Sequence, residues 1–489
     1  MQTSDPFDLV ADRRIRYEEH KEFIMANRGN IYDANGEILA TTNHYYQIDI
    51  DVSVLKNKAE KKKKTEIEYF HRVSNIIGAN SNVTASEAYK KLLSTKKITT
   101  VIGRDFNQSQ LNKIREQMKQ EGFEGALIYV YHHAKRVYPK GTLAARLLGL
   151  TTSKSDQTVR QSKYFNLLEG RNGIELSNNK DLLGEYGWNK ILRDRNGQKI
   201  PIPNLDNKPV IHGASVYLTI DSRIQEILEN NLQLGIAKYS SKNAIGVILN
   251  PKNGDIIAMA GINENDKKIS DTQLRGLSNL PTQHIFEPGS TIKPLVSLLA
   301  IEKNLVKETD MFDCRKMIFP NKRTISDSHD LGTISFREVI VQSSNVGVSK
   351  IADIIGKEAL YQHYVNYGFG KPTKVDLLEE RGILHKLSDW TDYSMHSVAF
   401  GQEMSVTALQ LANIYCAFAN GGELLKPNIV KQKVDANGKT YSFRSKVVEK
   451  KLSNKKSLDL NNSFLYDVVE EGTGVNTRFD NIKIGGKTG

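Results

Sequence analysis

The segment FEPGSTIKPLVSLLA, residues 286–300, limits what this chain can fold into more than any other. Beyond Ser290 it is mostly apolar, with Ile292, Leu295, Val296, Leu298, Leu299 and Ala300. Pro288 and Gly289 sit where a loop ends and a helix begins. A helix that is apolar all round has to be enclosed by other elements, so a substantial domain must be built around this one. Yet Lys293 lies in its first turn, three residues after Ser290. Residues i and i+3 share a helix face, which lets the lysine nitrogen reach the serine oxygen. An amine withdrawn from water holds its proton less well, and a neutral amine can take the proton of a serine and make it a nucleophile. The competing reading is a lysine whose stem packs while its ammonium snorkels to solvent.

The chain has 489 residues, enough for roughly two to four domains. Hydrophobic residues at 39% and charged residues at 25% are ordinary for a soluble globular protein. The N-terminal MQTSDPFDLVADRRIRYEEHKEF has no apolar core of a signal peptide, and no run of 18 apolar residues occurs anywhere. Two cysteines, Cys314 and Cys416, are too few for a disulfide framework, and they form no C-x-x-C motif. The net charge of +12 allows some attraction to an anionic partner, whether nucleic acid, a membrane surface or a cell wall, but lysine-rich solvated surface is the favoured reading. The run EKKKK at 60–64 has no interleaved aromatics and reads as an exposed loop or helix end.

Three zones follow along the chain. RGNIYDANGEILATT carries a turn at Asn35-Gly36, and YYQIDIDV alternates like a strand. Residues of about 51–125 have helical periodicity in EIEYFHRVSNIIG and SQLNKIREQMKQEG and form a helical subdomain inserted between extended segments. Residues 126–211 return to extended, turn-rich sequence. From 212 the texture changes: a strand in ASVYLTID, an amphipathic helix capped by Asp221 or Ser222, and a hairpin in AIGVILNPKNGDIIAMA around Asn253-Gly254. SVAFGQEMSVTALQLANIYCAFANGG is expected to be a helix ending at Gly421-Gly422, and IKIGGKTG the start of a strand. The pattern is an elongated N-terminal half followed by an α+β C-terminal domain.

Ser-x-x-K occurs five times, but only Ser290/Lys293 opens an apolar helix. Ser-x-Asn occurs three times, and only Ser343/Asn345 is flanked by apolar sequence, in REVIVQSSNVGVSKIA. A serine there can pass on a proton and an asparagine can hold an amide from both sides, although such a pair standing alone is more often a helix cap. Lys-Thr-Gly occurs once, at Lys487, Thr488 and Gly489. Lys and Thr can point donors at a carboxylate, and Gly lets a ligand approach the backbone.

In this order, the three motifs form the signature of penicillin-binding proteins and serine β-lactamases. RGNIYDANGEILA, RVYPKGTLAARLLG and GRNGIE resemble the pedestal motifs of class B penicillin-binding proteins, and VYLTIDSRIQ, NPKNGDIIAMA and VTALQLANIYCAFANGG are also similar to that family. The resemblance covers most of the chain outside about 51–125. It implies a dimerisation-like pedestal over 1–211 and a transpeptidase domain over 212–489, built on an antiparallel sheet flanked by helices. It further implies a peptidoglycan D,D-transpeptidase, working on stem peptides ending in D-Ala-D-Ala and blocked by β-lactams; the compact LLEGRNGIE region resembles the septal, division type more than the elongation type. Ser290 would be the nucleophile, Lys293 its base, Ser343 a proton relay and Asn345 the residue orienting the substrate amide. Lys487 and Thr488, with Gly489, would hold the terminal carboxylate. No metal or cofactor is called for, nor a His/Asp triad, and no nucleic acid. The expected partners are a membrane glycosyltransferase and division proteins, at the extracytoplasmic face of the cell membrane.

Family members carry a membrane helix before the Arg-Gly motif and continue past Lys-Thr-Gly, so a sequence truncated at both ends, with C-terminal strands missing, is expected. A bifunctional class A protein would need a glycosyltransferase domain, which the first 210 residues do not resemble. A β-lactamase would not need so large a pedestal, and a penicillin-sensing receptor should have a different N-terminal half. A non-catalytic scaffold is disfavoured by the intact motif residues.

Overall fold

The structure is a computed structural model that describes residues 18–123, 127–155, 166–193, 199–200, 206–320, 322–444, 446–449 and 451–489. The N-terminal half is organised by one long strand. After β1 (Glu18–Ile24) and the short β2 (Ile31–Tyr32), β3 runs from Ile38 to Asp51. The turn before it is held by the Asp33 carboxylate, which accepts from the N–H groups of Asn35 and Glu37, while Gly36 takes the left-handed φ of 89° the turn requires. The alternation in YYQIDIDV puts Ile48 and Ile50 in the core. Asp51 then caps α1 (Val52–Lys61), and Thr65 caps α2 (Glu66–Asn80). A capping box of Thr84 and Glu87 starts α3 (Ala85–Ser94). β4 (Thr99–Phe106), α4 (Gln108–Gln120) and β5 (Ile128–Val137) complete this part. β3 pairs antiparallel with β4 and β5, and the helices cover it with their own core, in which Leu55, Val73, Ile77, Ile102 and Ile114 are buried. The expected helical insertion is therefore a packed unit hanging from β3.

The three pedestal motifs meet at one buried carboxylate. Glu175 accepts from Arg28 Nε at 2.7 Å and from Arg136 Nε at 2.6 Å, and all three side chains are nearly or wholly inaccessible. Arg28 also donates to the Leu168 carbonyl and to Asn179. The strand β6 (Gly187–Arg193) pairs with β1. Residues 1–17 of the charged N-terminal segment and residues 201–205 of the extended, turn-rich zone lie outside the described residues.

The chain then returns to the first sheet. β7 (Ser215–Leu218) runs parallel to β2, with Val216 opposite Ile31, and antiparallel to Val430–Val434. One seven-stranded sheet thus contains strands from both sides of residues 211/212. Asp221 caps α5 (Ser222–Tyr239), and the expected hairpin forms as β8 (Asn243–Leu249) and β9 (Ile256–Asn263). The largest core surrounds α6 (Lys293–Glu302). It is built with α7 (Asn345–Ile355), α8 (Ala408–Ala419) and α9 (Lys455–Glu470).

Two expectations about local structure fail. SVAFGQEMSVTALQLANIYCAFANGG is not one helix: a short helix over Ser394–Ala399 stops, Met404–Thr407 becomes a strand paired with Ile285–Phe286, and only then does α8 start. Gly401 breaks the run. Its φ is 85°, and a Cβ there would lie 2.1 Å from the Gly289 oxygen. IKIGGKTG forms no strand either. It pairs with no described strand, and the segment rests on α9 instead, with Gly486 N–H donating to the Leu465 carbonyl at 2.9 Å.

Candidate active site

The helix carrying Ser290 begins with a tight turn. Gly289, at φ 54°, donates its N–H to the Gly401 carbonyl, and Gly289–Ile292 form one turn of 3₁₀ helix that runs into α6. Such turns are common at helix starts. Tyr415, on α8, clamps this turn by donating its hydroxyl to the Thr291 carbonyl at 2.8 Å. Ser290 is half-buried at the surface end of the helix, whereas Lys293, one turn in, is fully buried.

The Ser-x-Asn motif meets this lysine from the opposite side. Ser343 sits in the turn between the helix Phe336–Val341 and α7, with a left-handed φ of 60° that is costly for a non-glycine residue. Ser344 caps α7, accepting from Gly347 N–H at 2.8 Å. Asp327 fixes the whole junction: it accepts from Ser344 Oγ at 2.6 Å and from the N–H groups of Asn345 and Val346. The turn therefore presents the Ser343 carbonyl, the Ser343 hydroxyl and the Asn345 amide oxygen to Lys293. Its Nζ donates to them at 2.5, 3.3 and 2.7 Å.

Lys487 reaches the same hydroxyl, Nζ to Ser343 Oγ at 2.8 Å. Thr488 shares a hydrogen bond of 2.7 Å with Thr473, and Gly489 lies against the turn that carries Ser290, where an added Cβ would come within 3.2 Å of Thr291 Cγ2. Lys293, Ser343, Asn345, Lys487 and Thr488 are thus joined by hydrogen bonds, with Ser290 one helical turn from Lys293 and Gly489 against the turn that carries Ser290. No hydrogen bond joins Lys293 Nζ to Ser290 Oγ among the described residues; the amine is turned toward Ser343 and Asn345. Catalytic hydrogen bonds are often long before substrate binds.

Burial first, and then charge repulsion from Lys487, depress the Lys293 pKa to about 7 against the opposing pull of Asp327. Burial also lowers Lys487, to about 8. Near neutrality a large fraction of Lys293 is therefore free amine, while most of Lys487 remains a cation. Such a pair can accept a proton at one nitrogen and hold an anion at the other.

Sequence reasoning missed Asp327, Thr473 and Tyr415. Asp327 lies in SDSHD, an ordinary polar loop, and only the folded chain brings it to the start of α7. Tyr415 looks like one more core residue of α8.

Comparison with known proteins supplies an independent line. Residues 244–489 match the family described as penicillin binding protein transpeptidase domain, and residues 23–218 match the penicillin-binding protein dimerisation domain. The chain is 30% identical over 476 residues to stage V sporulation protein D of Bacillus subtilis, covering 94% of this chain and 68% of the relative. It is 27% identical over 435 residues to peptidoglycan D,D-transpeptidase FtsI of Buchnera aphidicola subsp. Schizaphis graminum, covering 86% of this chain and 71% of the relative. Among solved structures, penicillin binding protein 2X from Streptococcus thermophilus superposes with a TM-score of 0.75 at 23% identity, over 92% of this chain and 66% of the other.

Proposed function

The chain belongs to the class B penicillin-binding proteins, peptidoglycan D,D-transpeptidases that take peptide substrates and bind β-lactams, and from that premise we propose that Ser290 is the residue they acylate. The observation that carries this assignment is the buried amine of Lys293, held near pKa 7 one turn from Ser290 and hydrogen-bonded to Ser343 and Asn345.

The steps are those of acyl transfer. Lys293, as the free amine, takes the Ser290 hydroxyl proton as Oγ attacks the carbonyl carbon of the penultimate D-Ala. The resulting oxyanion is met by preorganised donors, of which the Ser290 N–H is one. When the C–N bond breaks, the departing D-Ala nitrogen receives a proton from Lys293 through the Ser343 hydroxyl. The amine of a second stem peptide then attacks the ester carbonyl and gives up a proton along the same path. Ser290 leaves reprotonated, and a new amide cross-links the two peptides. Asn345 orients the donor peptide's amide, while Lys487, Thr488 and Gly489 receive its terminal carboxylate. A β-lactam enters the first half of this sequence, its ring amide opening onto Ser290.

Residues 1–211 serve in this reading as the pedestal, and 212–489 as the domain that carries the chemistry. We place the protein in septal wall synthesis on the resemblance of its compact LLEGRNGIE run, residues 167–175, to the division type rather than the elongation type. A membrane glycosyltransferase and division proteins are its partners there, at the extracytoplasmic face of the cell membrane. No helix among the described residues is long and apolar enough to cross a membrane.

The test is to incubate the protein with labelled penicillin and map the adduct by peptide mass spectrometry. A covalent adduct on Ser290 is expected, and it should vanish in Ser290→Ala. An adduct on another serine, or none at all, overturns the assignment.

A further inference from the structure

The helical insertion carries a charge that the chemistry at Ser290 does not use. Residues 52–123 hold 15 Lys and Arg against seven Asp and Glu, a net of +8 out of +12 for the whole chain. The packing of α2 on α3 concentrates that charge. The two helices are joined by residues 81–84 and run antiparallel: Gly78 abuts Ala85, and His71 stacks on Tyr89 with ring centroids 4.0 Å apart. One turn further along, the same register sets Ile67 beside Leu93. Just beyond them it brings the lysine run before α2 to the end where Lys96 and Lys97 follow α3. Ile67, Leu93 and Ile98 are 55, 56 and 70% exposed. Ile98 is fixed in place, since its carbonyl accepts from Val52 N–H at 2.8 Å. Lys62, Lys63, Lys96 and Lys97 are exposed and make no ion pair among the described residues, whereas Lys64 pairs with Glu68.

We propose that this end of the α2–α3 pair is a docking surface for an anionic lipid bilayer. The four unpaired lysines lie on the phosphodiester headgroups, and Ile67, Leu93 and Ile98 enter the acyl boundary. Basic side chains around protruding aliphatic ones are the combination that binds an interface by charge and insertion together. A soluble polyanion would satisfy the lysines but gain nothing from the three aliphatic side chains. A protein partner fits less well, because lysine is depleted at the cores of protein interfaces, where arginine and aromatic residues dominate, and this surface relies on lysine. The insertion would then hold the pedestal against the membrane. This inference does not depend on the assignment of Ser290.

Vesicle flotation tests it with the whole chain, comparing phosphatidylcholine vesicles with vesicles containing about one-third phosphatidylglycerol. The parent protein should bind the anionic vesicles at least about tenfold more tightly, with affinity falling as salt rises. Reversing Lys62, Lys63, Lys96 and Lys97 to Glu should weaken binding by on the order of 100-fold or more, at roughly fivefold per lysine. Ile67→Ser, Leu93→Ser and Ile98→Ser together should weaken it about tenfold while the salt dependence stays. Circular dichroism and penicillin acylation, both unchanged, show that the variants are folded. Equal or absent binding of the parent to the two vesicle types overturns the proposal. So does an aliphatic variant that binds as tightly as the parent, which would assign the lysines to a soluble polyanion or an acidic protein.

Discussion

Lys293 and Lys487 both donate to the Ser343 hydroxyl, at 3.3 and 2.8 Å, so two amines share one oxygen in a site largely withdrawn from water. Their repulsion and burial set the order in which they lose protons, Lys293 near 7 and Lys487 near 8. A base has to be neutral, so acylation by penicillin should rise with pH through about 7. A carboxylate anchor has to be charged, so the rate should fall again as pH passes about 8. A narrow bell in the pH–rate profile is expected, its two limbs being apparent values for the pair. Lys487→Arg keeps its charge at high pH, so the alkaline limb should move up while the acid limb stays. A profile flat from pH 6 to 9 would remove Lys293 from the base role. The substitution Lys293→Arg replaces the base with a group that stays protonated and should slow acylation about 100- to 10,000-fold. Lys293→Met, which brings no buried charge, should lose the same activity while retaining the melting temperature. A loss of less than about threefold in both would make Lys293 a helix-surface residue in function.

The start of α7 shows how one element sets the geometry of another. Asp327 ties the first turn of α7 to a loop, and through Ser344 and the N–H of Asn345 it fixes where Ser343 and Asn345 point. Asp327→Asn would weaken those charge-assisted bonds at a cost of about 1 kcal/mol, the scale of a lost helix cap. It would also remove the carboxylate that holds the Lys293 pKa up. The acid limb of the pH–rate profile should therefore move to lower pH, with a reduced maximum. A cap that served stability alone would lower the melting temperature and leave the limb unmoved. The same junction marks where the sequence is legible. α6 could be read directly, because a wholly apolar helix with one lysine has few environments. Asp327 could not, because nothing in SDSHD announces a partner in α7. Nor could the break in SVAFGQEMSVT: its apolar residues suit a helix, and only the close approach of Gly401 to Gly289 forces a turn and then a strand. IKIGGKTG reads as the start of a strand, but a strand needs a partner for its backbone groups, and the contact it makes is with α9.

At the scale of the whole molecule the two halves share a sheet, and the pedestal half encloses a buried ion network. β2 pairs with β7, and the Asp33 carboxylate, which shapes the first turn, accepts from the Ser222 hydroxyl at 2.7 Å at the start of α5. Behind β2, Arg28 and Arg136 converge on Glu175, which is fully buried. Desolvating three charges is expensive, so the network is weak evidence for net stability, but removing its one anion is a different matter. Glu175→Ala would leave two guanidinium groups facing each other without a counter-charge. A loss of roughly 3–5 kcal/mol is expected, which for a chain of this length melting as one unit lowers the melting temperature by roughly 3–5 °C. Because the sheet crosses from one half to the other, the damage should reach the transpeptidase side, and calorimetry should show one transition moving rather than two separating. Acylation by labelled penicillin well below that transition should remain close to the parent rate, since no residue of the network touches the Ser290 cleft. If the pedestal instead unfolds in its own earlier transition, with acylation unaffected to higher temperature, the β2–β7 pairing carries no cooperativity. The pedestal would then be a separable support, and the sheet would join two units that fold independently.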